Sequence, residues 1–364
     1  MVGERPARIY PSCDRTHLLK ALTLSAHGSF EHLAFRSDLP EPELRAPTDV
    51  LIRVRAAALN HLDLWLVEGL PGVTLVPPWV VGTDATGVVE AIGAAVTGLA
   101  VGDTVVINAG LSDRTCEYCR DGEHPLCVRF RVMGEHVPGL AAEHVVLPAT
   151  NVRAIPANAP AEVAAGFTLA ALTAWRMVVS RADVREGDDV LIWGAGGGVA
   201  HMALQIAKMR GARVWVTSGN DAKLERARRL GADETLNHRT QDVPGEIRAR
   251  TGKRGVTVVI DSVGEATWER SLRALGRRGR LVTCGGTSGP MVQTDVRRLF
   301  WNQWTIMGST MGNDAELDAV VQLFRAGKLA PVVDSVFALE DGRAAYERLA
   351  SGEQFGKVVL RVGE

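Results

Sequence analysis

Between residues 189 and 285 short apolar runs alternate with amphipathic ones, and no other feature of the sequence narrows the fold as far. "DVLIW" (189–193) reads as a short buried strand, followed by a glycine cluster and a helical stretch over 199–210. "ARVWVT" (212–217), a helical stretch over 222–230, "VTVVID" (256–261), a helical stretch over 266–275 and "RLVTCG" (280–285) continue the series. Strands separated by helices cannot form hairpins. They pair in parallel through right-handed crossovers, which lay helices on both faces of the sheet. The expected class is α/β, with a doubly wound parallel sheet in this half.

The first half has a different texture. "DVLIRVRAAALN" (49–60), "TGVVEAIG" (86–93) and "GDTVVI" (102–107) are strand signals bounded by turn residues, which suggests a barrel or sandwich. The C-terminal "FGKVVLRV" (355–362) returns to a strand pattern. The most apolar window, residues 163–175, is shorter than the roughly 20 residues a bilayer crossing needs, so it reads as a buried helix. The N-terminal "MVGERPARIYPSCDRTHLLK" has no apolar core and is not expected to be a secretory signal.

Charge narrows the partners. Lys and Arg total 41 against 42 Asp and Glu, so no global field attracts nucleic acid or an acidic membrane, and a small-molecule substrate is expected. Of five cysteines, three share one loop while Cys13 and Cys284 stand alone, a usage that suits a reducing, cytoplasmic setting.

"WGAGGGVA" (193–200) lies between an expected strand and an expected helix, the context a dinucleotide fingerprint requires. Gly194, Gly196, Gly197 and Gly198 allow a tight turn and close approach of a pyrophosphate to the helix N-terminus, with Val199 beside them and Ala200 as the small packing residue. The next strand ends in "VTSGNDAK" (216–223). An NAD site places a carboxylate there for the ribose 2′-hydroxyl, whereas Ser218, Asn220 and Lys223 offer a hydroxyl, an amide and an ammonium that suit the 2′-phosphate of NADP(H). Asp221 dissents, because a small shift would let it take the acidic role.

With these parts in view, the chain resembles the medium-chain dehydrogenase/reductase superfamily, closest to zinc-type alcohol dehydrogenases and quinone oxidoreductases. The resemblance rests on "AAALNHLDLW", "GTDATGVVEAIG", "CEYCRDGEHPLC", "TAWRMV", "WGAGGGVA", "LGAD", "VTCGGTSG" and "FGKVVL". It implies a GroES-like catalytic domain over residues 1–160, completed by 326–364, and a Rossmann domain over 161–325. The active site is expected in the cleft between them. It implies cofactor contacts at His61, Cys284, Gly285, Gly308, Ser309, Thr310 and Lys357.

In "SDRTCEYCRDGEHPLC" (112–127), Cys116, Cys119 and Cys127 match three of the four cysteines of the family's structural zinc loop, and Asp113 stands at the first position. Three thiolates and one carboxylate carry the charge of four thiolates, and zinc accepts carboxylate oxygen, so one structural zinc per subunit is expected. A relic without metal is the alternative.

The family's catalytic zinc finds no such set. Its ligand positions fall on Asn60, on Thr83–Asp84 and, in the helix before "TAWRMV", near Leu169, while the position of the family's proton-relay hydroxyl is taken by Leu62. The resemblance therefore implies reduction of a quinone or an α,β-unsaturated carbonyl by NADPH, with Asn60 and then Thr83 as donors to the developing oxyanion. An alcohol dehydrogenase or aldehyde reductase is the runner-up, and a non-catalytic NADP-binding structural or sensor protein is a third reading. Asp63 is expected to orient the loop, Trp65 and Trp301 to wall the cleft or serve in packing, and His136 and His144 to be structural. A homodimer or homotetramer is expected.

Overall fold

The computed structural model describes residues 18–363, so the N-terminal segment and Cys13 lie outside the described residues. The alternation of strands and helices from residue 189 onward builds a six-stranded, wholly parallel sheet. Its strands are Asp189–Ile192, Arg213–Ser218, Glu234–Asn237, Val256–Asp261, Leu275–Thr283 and Thr305–Gly308. Counted along the chain, their spatial order is 3-2-1-4-5-6, which puts a topological switch point beside the first strand.

Burial on both faces explains the near-continuous apolar strands. Val190 and Ile192 enter one core with Ala200, Ala203 and Ala207 of the helix Gly198–Met209. Their neighbours Leu191 and Trp193 enter another core with Trp215, Val259 and Trp268. Each fully buried branched side chain stabilises by about 1.5–3 kcal/mol before ordering costs. The expected helices appear as Gly198–Met209, Asp221–Arg229 and Glu265–Ala274. The pattern missed the strands Glu234–Asn237 and Thr305–Gly308, each only four residues long.

The other unit is an antiparallel-dominated sheet around the ten-residue strand Asp49–Ala58. This strand pairs with Ala85–Ile92, with His144–Pro148 and with Lys357–Arg361. The C-terminal strands Val333–Ala338 and Lys357–Arg361 thus close the sheet begun near the N-terminus.

The apolar window at 163–175 is not one helix. It divides into Ala161–Ala165 and Thr168–Trp175, then runs into a π-helical turn over Arg176–Arg181. The break falls at Gly166, where a Cβ would lie 2.9 Å from Cγ of Lys357. A side chain from the far end of the sequence passes through that gap.

Candidate active site

The two units enclose a cleft of about 870 Å³. On the sheet side it begins at the switch point. Gly194 has φ +76°, a conformation that favours glycine, and turns the chain from the strand into the helix Gly198–Met209. The helix N-terminus faces the cleft with its unpaired N–H groups, a ready anion site. His201 braces this turn: its Nδ1–H donates to the Gly197 carbonyl at 2.9 Å and its Nε2 accepts from the Val332 N–H at 3.3 Å. Burial lowers its pKa to about 4, which keeps the ring neutral and that pair of bonds intact.

Of the residues expected at the cofactor, His61, Gly194, Gly196, Gly197, Gly198, Val199, Ser218, Asn220, Lys223, Cys284, Gly285, Thr310 and Lys357 line the cleft, as does Asn60, the expected oxyanion donor. Gly308 and Ser309 stand just outside that lining. The Gly308 carbonyl accepts from Arg181 Nε at 3.0 Å, and the Ser309 N–H donates to the Thr283 carbonyl at 2.8 Å. Burial pushes the Cys284 thiol up to about 12, so it stays protonated.

The end of the second strand is rearranged relative to expectation. Asn220 caps the helix Asp221–Arg229, its Oδ1 accepting from the Ala222 N–H at 2.8 Å. Lys223 donates to the Gly352 carbonyl at 2.5 Å, and Asp221 accepts from Asn237 Nδ2 at 2.7 Å. The cation beside this strand end is Arg239, whose Nε would lie 2.6 Å from a Cβ at Gly219. Among the described residues no carboxylate forms an ion pair with it. Sequence reasoning missed Arg239 because it follows the third strand. Parallel pairing of Ser218 with Asn237 brings it to the second.

The opposite wall carries a buried polar network. The backbone N–H of Asn60 donates to Asp63 Oδ2 at 2.7 Å, which fixes the start of the helix His61–Glu68. The Thr83 hydroxyl donates to the same oxygen at 3.0 Å and accepts from Asn60 Nδ2 at 3.0 Å. Thr83 has spent its proton on Asp63 and is 1 % exposed, so it supports Asn60 and has no donor left for a ligand. Asn60 lines the cleft, and the second N–H of its amide has no partner among the described residues.

Asn60 Oδ1 accepts from the ammonium of Lys357, which also lies 3.5 Å from Asp84 Oδ2. The Leu169 N–H donates to the other Asp84 oxygen at 3.4 Å. Burial raises Asp84 to about 7 and Asp63 to about 6, and it lowers Lys357 against the pull of both carboxylates.

Trp65 walls the cleft beside Gly285, with its ring edge 3.6 Å from where a Cβ would stand. Trp301 does not: it is 75 % exposed on the helix Val296–Asn302, which buries none of its residues. His144 bridges Glu41 at 2.9 Å and Glu90 at 3.2 Å, and His136 Nδ1 accepts from the Val132 N–H at 3.2 Å.

Away from the cleft, single donor atoms of Asp113, Cys116, Cys119 and Cys127 all lie within 4.8 Å of one another. Among the described residues this is the one group of three or more His, Cys, Asp or Glu side chains so arranged. Asp113 Oδ1 accepts from the N–H groups of Thr115 at 2.8 Å and Cys116 at 2.9 Å, which hold the carboxylate well below its usual range. Cys127 Sγ accepts from the Asp113 N–H at 3.2 Å. Burial, reinforced by neighbouring thiols, pushes Cys119 up to about 12. Thiols so placed ionise together when a cation neutralises them, so the donor set fits a tetrahedral zinc. The loop is tied to the helix Asp314–Arg325 through Arg114–Asp314 and through Arg176, which bridges Glu123 and the buried Glu316.

Residues 46–157 match the alcohol dehydrogenase GroES-like domain, and residues 198–326 match the zinc-binding dehydrogenase domain. An NAD-dependent alcohol dehydrogenase of Saccharolobus solfataricus is 32% identical over 331 residues, covering 88% of this chain and 94% of the relative. An acryloyl-coenzyme A reductase of Metallosphaera sedula is 31% identical over 346 residues, covering 94% and 99%. A crystal structure of an NAD-dependent alcohol dehydrogenase superposes with a TM-score of 0.91 at 44% identity, covering 94% of this chain and 100% of that one.

Proposed function

The chain belongs to the medium-chain dehydrogenase/reductase superfamily as a zinc-type alcohol dehydrogenase-like oxidoreductase, and we propose that it reduces a quinone or an α,β-unsaturated carbonyl with NADPH. The observation that carries this reading is the wall of the cleft. Asn60, Thr83 and Leu169 stand where the family's catalytic zinc ligands would be, and Asp84 there is engaged by Lys357 and by the Leu169 N–H. One carboxylate already in an ion pair is a poor substitute for three zinc ligands.

When bound, NADPH supplies the hydride. Addition at the β-carbon of a conjugated carbonyl spreads charge onto the oxygen, a smaller demand than an isolated alkoxide makes. Asn60 meets that demand with its uncommitted N–H, held in place by Thr83 and Lys357. The name of the Metallosphaera relative, a reductase of a conjugated thioester, agrees with this chemistry.

The choice of NADPH over NADH rests on Ser218 and Arg239 at the strand end and on Asp221 being turned to Asn237. The zinc is structural, held by Asp113, Cys116, Cys119 and Cys127, and pins its loop rather than touching substrate. The strand Thr305–Gly308 is the last of its sheet, and Phe300 and Trp301 are exposed nearby, which supports a homo-oligomer joined at that edge. No helix among the described residues is long and apolar enough to cross a membrane, and the free cysteines suit a cytoplasmic setting.

The test is turnover with NADPH on a panel of enones, quinones and saturated aldehydes, repeated with Asn60→Ala. Conjugated substrates should be reduced faster, and the variant should lose ~10²-fold in kcat with a smaller change in NADPH affinity. Faster reduction of saturated aldehydes would instead select the alcohol dehydrogenase reading.

A further inference from the structure

Lys357 occupies an unusual place for a cation. Its side chain is 2 % exposed, and its stem runs through a slot between two glycines. A Cβ at Gly166 would come within 2.9 Å of Lys357 Cγ, and one at Gly198 within 3.2 Å of Cδ. The helix break at Gly166 is therefore also the passage that admits the lysine. At the far end its ammonium meets Asn60 Oδ1 and lies 3.5 Å from Asp84 Oδ2. A residue that only touched the cofactor phosphates would have no reason to reach this wall.

Resting on the conjugated-carbonyl reading above, we infer that the Lys357 ammonium provides the positive charge for oxyanion stabilisation, acting through the amide of Asn60. The ammonium binds the amide oxygen and draws electron density from the amide nitrogen. The remaining Nδ2–H becomes a stronger donor to the substrate oxygen as negative charge arrives there. In a water-poor pocket a full charge one amide away is worth far more than in solvent. Asp84 is the counter-ion that keeps the lysine protonated without competing for the substrate. Lys357 is thus a positioning residue for Asn60, and no bond to it forms or breaks.

The groups that face this ammonium are few. Asp84 and Asp63 lie on the Asn60 side, and His201, neutral, lies on the helix Gly198–Met209. Both carboxylates favour the charged lysine while burial opposes it, so its proton should leave below the ordinary lysine range.

The experiment uses the full-length protein with NADPH, in wild-type, Lys357→Met and Lys357→Arg forms, on whichever carbonyl the wild type reduces. Lys357→Met should lower kcat ~10²-fold with KM within about threefold. The wild-type kcat should fall at alkaline pH as the ammonium is lost. Lys357→Arg, whose charge does not titrate there, should recover much of the rate and hold it at alkaline pH. A second measurement needs no turnover: 4-nitrophenol bound with NADP⁺ is read by its absorbance. The wild type should hold the dye ionised at a pH where the free dye is protonated, and Lys357→Met should not.

A Lys357→Met enzyme with undiminished kcat, or a dye equally ionised in both proteins, would overturn the role. A wild type that reduces only saturated aldehydes would retire the conjugated-carbonyl reading alone, since the lysine is then measured on the aldehyde and on the dye.

Discussion

The loop from Asp113 to Cys127 and the cleft wall at Asn60 are both places where side chains converge, and they are built in opposite ways. The loop collects its four donors from one short segment, and backbone N–H groups of the same segment orient them. The cleft wall takes Asn60, Thr83 and Asp84 from one unit and Lys357 from 297 residues past Asn60. A contiguous cluster needs little tertiary structure to form and contributes to stability locally. An assembled cluster exists only when the whole fold is in place, and it is the one that can respond to a substrate.

The largest effect that separates the two should come from the metal. Elemental analysis should find one zinc per subunit, and chelation should lower Tm by on the order of ten degrees, because a metal that binds only the folded loop stabilises the fold. NADPH binding should survive, since the glycine turn and Ser218 share no ligand with the loop. Asp113→Ala should retain less zinc, and Asp113→Cys should retain as much or more. Two zincs per subunit would erase the contrast, because the second would have to sit at the cleft wall.

A smaller effect is expected at the cofactor end, which is intermediate in construction. Ser218 and Arg239 come from adjacent strands, brought together by the pairing of Ser218 with Asn237. Arg239→Ala should weaken NADPH binding ~10-fold or more while leaving NADH nearly unchanged, the usual scale for a lost charge-assisted bond. Ser218→Asp should reverse or erase the preference by repulsion. Fluorescence titration with both cofactors decides it, and tighter NADH binding by the unmodified protein would defeat the assignment.

This gradient in construction is also a gradient in what the sequence discloses. The metal loop is legible because its ligand spacing is written in consecutive residues. The parallel sheet is legible because strand burial on both faces leaves an unbroken apolar signature in runs such as "VTVVID". Arg239 is not, because only strand pairing places it, and Lys223, the cation that spacing suggested, is held by the Gly352 carbonyl. Lys357 was legible as a cofactor-edge residue, but the slot between Gly166 and Gly198 that carries it to Asn60 is a tertiary feature. Trp301 shows the converse: an aromatic in a promising stretch lies on the outer surface.

The smallest expected effect concerns how the assembled wall titrates. Asp63 is fully buried and accepts from the Asn60 N–H and the Thr83 hydroxyl, while its other oxygen finds no partner among the described residues. Burial raises its pKa to about 6 despite those bonds. The sign follows from linkage: a folded value above the unfolded one favours the protonated form. The associated stability is present below about pH 4 and is lost as pH rises through about 6. Asp63→Asn keeps an acceptor oxygen for both donors and cannot ionise, so it should lack this loss. Its Tm relative to wild type should therefore climb by roughly two to four degrees between pH 4 and pH 7, bounded by the few kcal/mol that linkage allows. Asp84 and the metal loop titrate in both proteins and cancel in the difference. Melting curves that stay parallel across that range would mean water or a shifted side chain reaches the unpartnered oxygen, and the wall would then be less sealed than its burial implies.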